Sequence, residues 1–350
     1  MTAFGKRLIS WYEKNKRDLP WRHTRDPYLV WLSEVILQQT RVDQGMSYYL
    51  RFREIFPDVH ALASAPLDLV LKNWQGLGYY SRARNLHAAA QIVSQELGGT
   101  FPTTKTQIMK LKGIGDYTSS AIASFCFGEK VPVIDGNVIR VLSRLHAIDF
   151  PADTIEGKRQ LHELAYALLD EKDPGTYNQA IMEFGALHCT PMNPGCDECP
   201  FRGSCRALAL NAVSSFPLKK KKAAVKDVTF QYFILKTKQG VYLRKRGHDS
   251  IWKGLYDFPS TETADKPEVV ITGFLAQYDL PHALDVSFVS EYYRHLLTHR
   301  KISARFHELR LPAALKNNPD DWIYVRLCDL KEYPIPRLIE KYLQERGWQV

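Results

Sequence analysis

Residues 111–117 read Leu-Lys-Gly-Ile-Gly-Asp-Tyr and join two segments with helical apolar spacing. The two glycines, Gly113 and Gly115, free the backbone to approach a neighbouring group closely. In a helix-hairpin-helix, such a turn points N–H groups at a nucleic-acid phosphate where the second helix begins. An ordinary turn between helices needs the same glycines, so both interpretations stay open at this point.

The sequence around this turn predicts helices throughout residues 1–215. Asp26-Pro27 is a helix cap followed by proline at the first helical position, and apolar residues then run from Leu29 to Leu37. No long alternating strand pattern interrupts this half. Further helical segments are predicted at residues 67–71, 84–97, 117–127, 138–145, 158–169 and 178–187.

Beyond residue 215 the sequence pattern changes. Lys219–Lys222 form a run of like charge that repels itself and extends, so we place a basic linker at residues 216–227. Alternating apolar residues over 228–234, a turn at 238–240 and a new apolar run predict a hairpin. A final helix is predicted at 336–344. We therefore expect a multidomain chain, with an all-α domain over 1–215 and an α+β domain over 228–350.

Length and composition exclude several classes of protein. The 350 residues are 45% hydrophobic and 24% charged, which excludes a disordered or collagen-like chain and predicts two cores. No apolar run approaches the ~18 residues that a membrane span needs, and residues 1–17 lack the pattern of a secretory signal. We expect a soluble cytosolic protein. Its formal charge of +9 is compatible with binding to a phosphate backbone but names no substrate.

Four of the six cysteines are crowded together. Cys189, Cys196, Cys199 and Cys205 give the pattern C-x6-C-x2-C-x5-C, whose short spacings could wrap one metal centre. Disulfides are disfavoured because a non-secreted chain of this size has its own core. Generic ligand chemistry does not separate zinc from a [4Fe–4S] cluster, so both stay open on the spacing alone.

Two carboxylates are candidates for catalysis. On its predicted helix, Glu34 has Val30, Trp31 and Leu37 as neighbours, an apolar face where desolvation raises the pKa of the carboxyl. A carboxyl of raised pKa is suited to general acid catalysis. Asp135 begins the sequence Asp-Gly-Asn before a predicted helix, a pattern that is equally typical of a turn and a helix cap.

Taken together, the hairpin, the aspartate about twenty residues later and the four-cysteine pattern resemble the endonuclease III superfamily of DNA glycosylases. Residues 19–22, 31–40, 76–84 and 135–138 are similar to the adenine DNA glycosylases of the MutY family. The similarity is dense over 19–205 and looser after 228, where the chain resembles that family's Nudix-like module for reading the damaged base. It implies an all-α helix-hairpin-helix glycosylase domain with a [4Fe–4S] loop, followed by a Nudix-like α+β domain.

The resemblance implies a role for each matching residue. Glu34 would protonate the adenine leaving group and later help to activate water, and Asp135 would stabilise the oxocarbenium-like sugar while Asn137 positions the site. Among the other matching positions, Trp21, Arg22 and Gln179 would line the adenine pocket, and Gln39 and Tyr79 would enter the duplex. Gly113 and Gly115 would bind the DNA backbone, and Thr298 and His299 would read the lesion. The cluster would be held by Cys189, Cys196, Cys199 and Cys205.

Tyr117 distinguishes two branches of the superfamily. The bifunctional endonuclease III branch carries at this position a lysine that forms a Schiff base with the sugar, and a phenol cannot form that imine. The resemblance therefore implies a monofunctional glycosylase. Two positions depart from the pattern of the MutY family: Lys112 replaces a proline of the hairpin, and the loop 297–299 reads Leu-Thr-His where the family has Phe-Ser-His.

The function implied is removal of adenine mispaired with 8-oxoguanine or guanine in double-stranded DNA, by an enzyme acting as a monomer. One alternative is an endonuclease III-like glycosylase and lyase on oxidised pyrimidines, which Tyr117 and the extra domain disfavour. Another is a non-catalytic iron–sulfur DNA-binding protein, which would need neither Glu34 nor Asp135. Residues 258–270 lack the glutamate-rich box of a Nudix hydrolase, so we expect no hydrolase activity there. The sequence does not identify protein partners, and the linker is where we expect any contacts with other repair or replication proteins.

Overall fold

The computed structural model describes residues 2–218, 226–247, 250–281, 284–297 and 299–349. Contacts group the chain into two compact units. Unit one comprises Met1–Ser64 with Arg84–Lys222, and unit two comprises Ala65–Ala83 with Ala223–Val350. The lysine run Lys219–Lys222 lies outside the described residues. Whether residues 1–215 and 228–350 fold as independent domains stays a prediction. Among the described residues, no helix is long and apolar enough to cross a membrane.

The first 218 residues are helical, as predicted, and the first strand begins at Lys226. The helices and their bounds are α1 (Ala3–Asn15), α2 (Pro27–Leu37), α3 (Val42–Ile55), α4 (Val59–Ser64), α5 (Leu67–Trp74), α6 (Ser81–Gln95), α7 (Lys105–Ile108), α8 (Asp116–Phe127), α9 (Gly136–His146), α10 (Ile155–Leu168), α11 (Pro174–Leu187) and α12 (Arg206–Ala209).

Among the described residues, four aspartates begin helices of unit one by accepting a hydrogen bond from a free backbone N–H of the first turn. They are Asp26 at α2, Asp58 at α4, Asp135 at α9 and Asp173 at α11, and proline follows directly at α2 and α11. Helix α11 packs against α1, α8 and α9, and α2 packs against α8 and α3. This packing brings the N-termini of α8 and α9 close to α2 and α11.

A buried apolar cluster fixes these helices. Leu8 of α1, Val141 and Leu142 of α9, Leu161 of α10 and Phe184 of α11 are all at most 1% exposed. Each side chain of this size stabilises the folded state by about 1.5–3 kcal/mol on burial. This core therefore holds α9 and α11, the helices that carry Asn137 and Gln179.

Unit two is built on one mixed sheet. Its elements are β1 (Lys226–Lys236), β2 (Gly240–Lys245), β3 (Tyr256–Asp257), β4 (Ser260–Glu262), α13 (Pro267–Gln277), β5 (Asp285–Val289), β6 (Tyr293–Leu296), β7 (Arg300–Arg310), β8 (Trp322–Arg326) and α14 (Arg337–Glu345). The predicted hairpin is confirmed as the antiparallel pair β1 and β2, and the predicted last helix is α14.

The described strands run in the order β3-β2-β1-β7-β5, with β4 on β1, β6 on β7 and β8 on β2. Strands β1 and β7 are parallel over their whole lengths, from Lys226 opposite Arg300 to Lys236 opposite Arg310. The sheet is covered on one face by α13, where the rings of Phe233 and Phe274 stack. The α+β class predicted for this part is confirmed.

Residues 65–83 belong to unit two although they are distant in sequence from its sheet. Asp68 of α5 accepts hydrogen bonds from Lys245 Nζ at 2.9 and 3.0 Å and from the Tyr256 hydroxyl at 2.9 Å. The Tyr80 hydroxyl donates to the backbone oxygen of Ile335 at 3.4 Å. Polar contacts on both sides of the turn that contains Tyr79 therefore tie this segment to the strands and to the approach of α14.

Candidate active site

Glu34 lies on α2 and is 7% exposed. Its Oε2 accepts a hydrogen bond from the Tyr117 hydroxyl at 2.5 Å. Burial raises the pKa of Glu34 to about 7, although the bond from Tyr117 favours the charged form and opposes that rise. Burial and the neighbouring carboxylates also raise the pKa of Tyr117 well above its usual value, so the phenol stays protonated. The apolar helix face predicted for Glu34 is confirmed.

Asp135 is the N-cap of α9 and has both carboxylate oxygens occupied. Oδ1 accepts from the backbone N–H of Val138 at 2.8 Å, and Oδ2 accepts from Nδ2 of Asn137 at 2.6 Å. Burial raises the pKa of Asp135, while these donors favour the charged form. The capping interpretation left open by the sequence is therefore correct, and it fixes the carboxylate in one orientation.

One cavity of about 600 Å³ collects these residues within unit one. The volume lies in the range of small-molecule sites in proteins. Glu34 also senses the charge of Asp135, which raises the pKa of Glu34 further. All seven residues predicted for the catalytic centre and adenine pocket line this cavity: Trp21, Arg22, Glu34, Tyr117, Asp135, Asn137 and Gln179.

Sequence reasoning missed Glu183 and Arg17, which also line the cavity. The Glu183 side chain is 1% exposed and accepts from Arg17 Nη2 at 2.6 Å and from Arg22 Nη2 at 2.8 Å. Burial alone would raise the pKa of Glu183, but the two guanidinium groups outweigh it and lower that pKa to about 2. Since Glu183 is four residues after Gln179 on α11, helical spacing could have placed it on the same face.

Arg140 joins this centre to the cysteine loop and was also missed. Its Nη2 donates to Oδ1 of Asn137 at 2.8 Å, and its Nε donates to the backbone oxygen of Cys189 at 2.7 Å. Asn137 in turn holds Asp135. A continuous chain of hydrogen bonds therefore runs from the Asp135 carboxylate to the first cysteine of the loop.

Cys189, Cys196, Cys199 and Cys205 line a second, smaller cavity. Arg144 donates to Sγ of Cys189 at 3.4 Å, and Sγ of Cys199 accepts from the backbone N–H of Phe201 at 3.4 Å. The described side chains hold no group of three His, Cys, Asp or Glu arranged for a metal ion. The four thiols nevertheless converge on one space, as the spacing predicts.

The ring of His188 is independent evidence that the cavity between the cysteines accommodates a polar group. It lines the same cavity, and its buried Nε2 has no hydrogen-bond partner among the described residues. A buried ring nitrogen without a partner costs free energy unless something else satisfies it. Sulfur atoms bound between the cysteines would provide acceptors, so the residues present fit a sulfur-containing metal cluster.

The hairpin glycines have different reasons to be glycine. Gly113 has φ +77°, and a Cβ there would lie 2.4 Å from Cβ of Asn85. Gly115 is the N-cap of α8, and a Cβ there would meet nothing within 4 Å. The turn between α7 and α8 thus requires Gly113 for its backbone, while the surroundings of Gly115 stay open.

Comparisons with known proteins account for both units. Residues 32–167 match the family model "HhH-GPD superfamily base excision DNA repair protein", and residues 231–345 match that of the NUDIX domain. The chain is 31% identical over 343 residues to the adenine DNA glycosylase of Buchnera aphidicola subsp. Schizaphis graminum, with 98% of each chain covered. It is 36% identical over 263 residues to that of Buchnera aphidicola subsp. Baizongia pistaciae, with 73% of each covered. The chain belongs to the adenine DNA glycosylase family.

Other members of the adenine DNA glycosylase family are longer. The human adenine DNA glycosylase is 46% identical over 216 residues, which are 59% of this chain and 40% of that one. Among solved structures, a thermostable thymine-DNA glycosylase superposes with a TM-score of 0.55 at 28% identity, covering 59% of this chain and 95% of that chain. These comparisons show that the chain is a DNA N-glycosylase of base excision repair. They also confirm the prediction that a helical part is followed by a Nudix-like part.

Two further residues that match this family have unusual backbones. Gln39 and Tyr79 have φ +57° and +48°, a conformation that costs a non-glycine residue about 1–2 kcal/mol. Both side chains are exposed, that of Tyr79 by 53%. Gln39 lies in unit one and Tyr79 in unit two. Strained backbone conformations are common at binding sites. The backbones of Gln39 and Tyr79 therefore agree with the DNA-binding role that the resemblance implies for both residues.

The loop 297–299, for which the resemblance predicts lesion reading, is described only in part. Thr298 lies outside the described residues. His299 is exposed, and its backbone oxygen accepts from the N–H of Lys226 at 3.0 Å, where β1 and β7 begin. Leu297 and His299 therefore lie at the turn end of the β6–β7 hairpin.

Proposed function

We propose that the cavity of unit one removes adenine from A:8-oxoguanine and A:G mispairs of double-stranded DNA by hydrolysing the N-glycosidic bond. The observation that carries this proposal is the pairing of Glu34 and Asp135 in one cavity. Burial keeps a substantial fraction of Glu34 protonated near neutral pH. Burial also raises the pKa of Asp135, but the donors on both of its oxygens favour the anion. One acid beside one carboxylate is the arrangement that glycosidic hydrolysis requires.

Protonation comes first in this mechanism. Adenine leaves a sugar poorly as an anion, so Glu34 donates its proton to a ring nitrogen of the base as the bond to C1′ breaks. The Tyr117 hydroxyl stabilises the carboxylate that results, since it already donates to Oε2. Glu34 can then accept a proton from the water that attacks the sugar.

Asp135 acts on the sugar from which the adenine departs. Positive charge develops on the sugar as adenine departs, and the anionic carboxylate stabilises it in a desolvated cavity. Asn137 and the N–H of Val138 keep both carboxylate oxygens in place. The helix-cap geometry thus positions the charge before the substrate arrives.

The adenine reaches the cavity by leaving the base stack. Trp21, Arg22 and Gln179 would hold the flipped base by stacking and hydrogen bonds, with Arg22 fixed in turn by Glu183. Gln39 and Tyr79 would occupy the duplex on the vacated side. Because Tyr117 stands where a Schiff-base lysine would be needed, the enzyme would release adenine without cutting the strand.

The thiolates of Cys189, Cys196, Cys199 and Cys205 would hold a [4Fe–4S] cluster. When bound, the cluster supplies four metal–sulfur bonds that fix the loop. The loop's Cys189 carbonyl anchors Arg140, which holds Asn137 beside Asp135. Thiolates that accept from Arg144 and from the N–H of Phe201, together with the unsatisfied Nε2 of His188, support this assignment.

Thr298 and His299 would read the base opposite the adenine, with the Thr298 hydroxyl hydrogen-bonding the oxidised guanine. The Phe216–Asp227 linker would carry any contacts with other repair or replication proteins. The monomeric state and the cytosolic location expected from the sequence stay predictions.

A panel of duplexes tests the proposed activity. Each carries one A opposite 8-oxoguanine, G or T, or one oxidised pyrimidine opposite a normal base, and products are scored with and without alkali. We expect free adenine from the first two duplexes and strand breaks only after alkali. Breaks without alkali, or cutting of the oxidised pyrimidine, would favour the bifunctional alternative. Binding of all duplexes without base release would favour a non-catalytic protein.

A further inference from the structure

We propose that an exposed face of the β6–β7 hairpin binds the phosphate backbone of duplex DNA through Arg294, Lys301 and Arg305. The inference adds to the proposed function a second, sequence-independent DNA contact, located in unit two. It rests on strand register, on the pairing of charges and on which part of the sheet is covered.

Strand register places the three cations together. Arg294 of β6 lies opposite Ser303 of β7, and Leu296 lies opposite Lys301, so all four point to one side of the hairpin. Lys301, Ser303 and Arg305 alternate along β7 with fully buried residues. Those buried residues are Ile302, Ala304 and Phe306, at 0–1% exposure.

Only part of this face is covered. Farther along β7, His307 lies opposite Phe233 of β1, whose ring stacks on Phe274 of α13 with 3.7 Å between centroids. Helix α13 thus closes that end of the face. Toward the loop at 297–299 the face opens, and Arg294 and Lys301 are exposed.

The three cations also lack the acidic partners that several other cations of unit two have. Arg310 pairs with Asp285 at 3.2 Å, and Arg326 pairs with Asp329 at 2.6 Å. Across the described residues, no carboxylate lies within ion-pair distance of Arg294, Lys301 or Arg305.

Arg305 is held on this face by an aromatic ring and not by an acid. Its guanidinium lies 4.2 Å from the centre of the Tyr292 ring, while its buried Nε has no hydrogen-bond partner among the described residues. Asp227, the β1 residue opposite Lys301, is the acid that shares this face in register. Three cations against one carboxylate leave a positive surface that is complementary to phosphate.

The spacing suits a duplex backbone. Lys301 and Arg305 are four residues apart on an extended strand, or about 13 Å. One DNA strand rises about 3.4 Å per phosphate along the helix axis, so four phosphate steps cover a similar distance.

Salt dependence of binding tests this inference on the full-length protein. The variant Arg294→Gln/Lys301→Gln/Arg305→Gln is compared with a control that loses the same charge at exposed sites elsewhere in unit two, Lys238→Gln/Lys316→Gln/Lys331→Gln. The dissociation constant for a duplex with A opposite 8-oxoguanine is measured from 50 to 200 mM salt. Each lost phosphate contact lowers the slope of log Kd against log salt by about 0.9, so we expect a fall of about 2–3 in the face variant.

The control is expected to change the slope by less than about 0.5, and its adenine release at saturating enzyme should stay within about twofold of the wild type. An unchanged slope in the face variant overturns the inference. An equal change of slope in the control variant also overturns it, because the change would then depend only on the net charge of the protein. Should the triple variant misfold, Lys301→Gln alone is expected to lower the slope by about 0.9. Because binding is read without turnover, failure of adenine release in the wild type would count against the proposed function alone.

Discussion

The cavity of unit one and the β6–β7 face of unit two both present cations, and they hold them differently. In the cavity, Arg17 and Arg22 are fixed by a carboxylate, Glu183, that is almost fully buried. On the face, Arg294 and Lys301 are exposed, and the described residues offer them no ion pair. A base must be recognised in one geometry, so its ligands are preorganised. A phosphate backbone supplies many equivalent anions, so unfixed charge is enough to bind it.

Removing the acid should have the largest effect. Glu34→Gln keeps the size of the side chain but cannot donate a proton of similar acidity, and general acid catalysis contributes about 10²–10⁴-fold. We expect a loss in that range in single-turnover adenine release, with duplex affinity within about threefold. Glu54→Gln, on an exposed glutamate of α3, is the matched control and should match the wild type. Retained turnover in Glu34→Gln would remove this residue from the chemistry.

Asp135→Asn separates charge from capping. Asparagine caps helices about as well as aspartate, so α9 should stay folded while the negative charge beside the sugar is lost. We expect adenine release to fall about 10²–10³-fold, as for the loss of a preorganised electrostatic group. Asp173→Asn makes the same change at the cap of α11 and should leave the rate unaltered. Equal losses in both variants would indicate damage to folding instead.

Glu183→Gln tests the contrast between the fixed cations of the cavity and the unpaired cations of the β6–β7 face. The substitution removes the carboxylate that holds Arg17 and Arg22, so these two cations also lose their ion pairs. We expect adenine release to fall about 10–100-fold while the salt slope of DNA binding stays unchanged. Breaking a buried ion pair also destabilises the fold by about 3 kcal/mol, which thermal unfolding would detect. Glu163→Gln breaks an exposed pair with Arg159 and should cost less than about 1 kcal/mol. A salt slope that falls in Glu183→Gln would contradict the division of roles.

Arg144→Met tests the cysteine loop, where a buried cation is fixed by backbone oxygens. Arg144 donates to the oxygens of Thr190 at 2.7 Å and Pro191 at 3.1 Å, as well as to Cys189. We expect about half or less of the iron per chain found in the wild type, measured chemically on purified protein. Arg206→Met, at an exposed arginine just after the last cysteine, should retain full iron. Zinc in place of iron in the wild type would contradict the proposed cluster.

Much of the site could be predicted from the sequence because its signals are local. The apolar neighbours of Glu34 follow from helical spacing, the Asp-Gly-Asn turn identifies Asp135, and the four cysteines lie within 17 residues. In the second half, alternation predicts β1, and the turn at 238–240 predicts its antiparallel partner. Each of these features depends on residues close together in the chain.

Other features depend on distant residues and were not predicted. Glu183 is 166 residues from Arg17, so nothing local indicates that these side chains meet. The parallel pairing of β1 with β7 and the grouping of residues 65–83 with unit two are equally remote in sequence. The positive φ of Gln39 and Tyr79 also runs against the preference of both residue types, so only the structure reveals it.

The central claim is that burial makes Glu34 an acid near neutral pH, and the pH dependence of single-turnover adenine release tests it most directly. With a pKa of about 7, Glu34 is protonated below that pH and loses its proton above it, so the rate should fall about tenfold per pH unit above 7. In Tyr117→Phe the hydrogen bond that favours the charged form is gone, so this fall should begin at higher pH. A wild-type rate that stays constant from pH 6 to 9, or a fall that begins at lower pH in Tyr117→Phe, would contradict the claim.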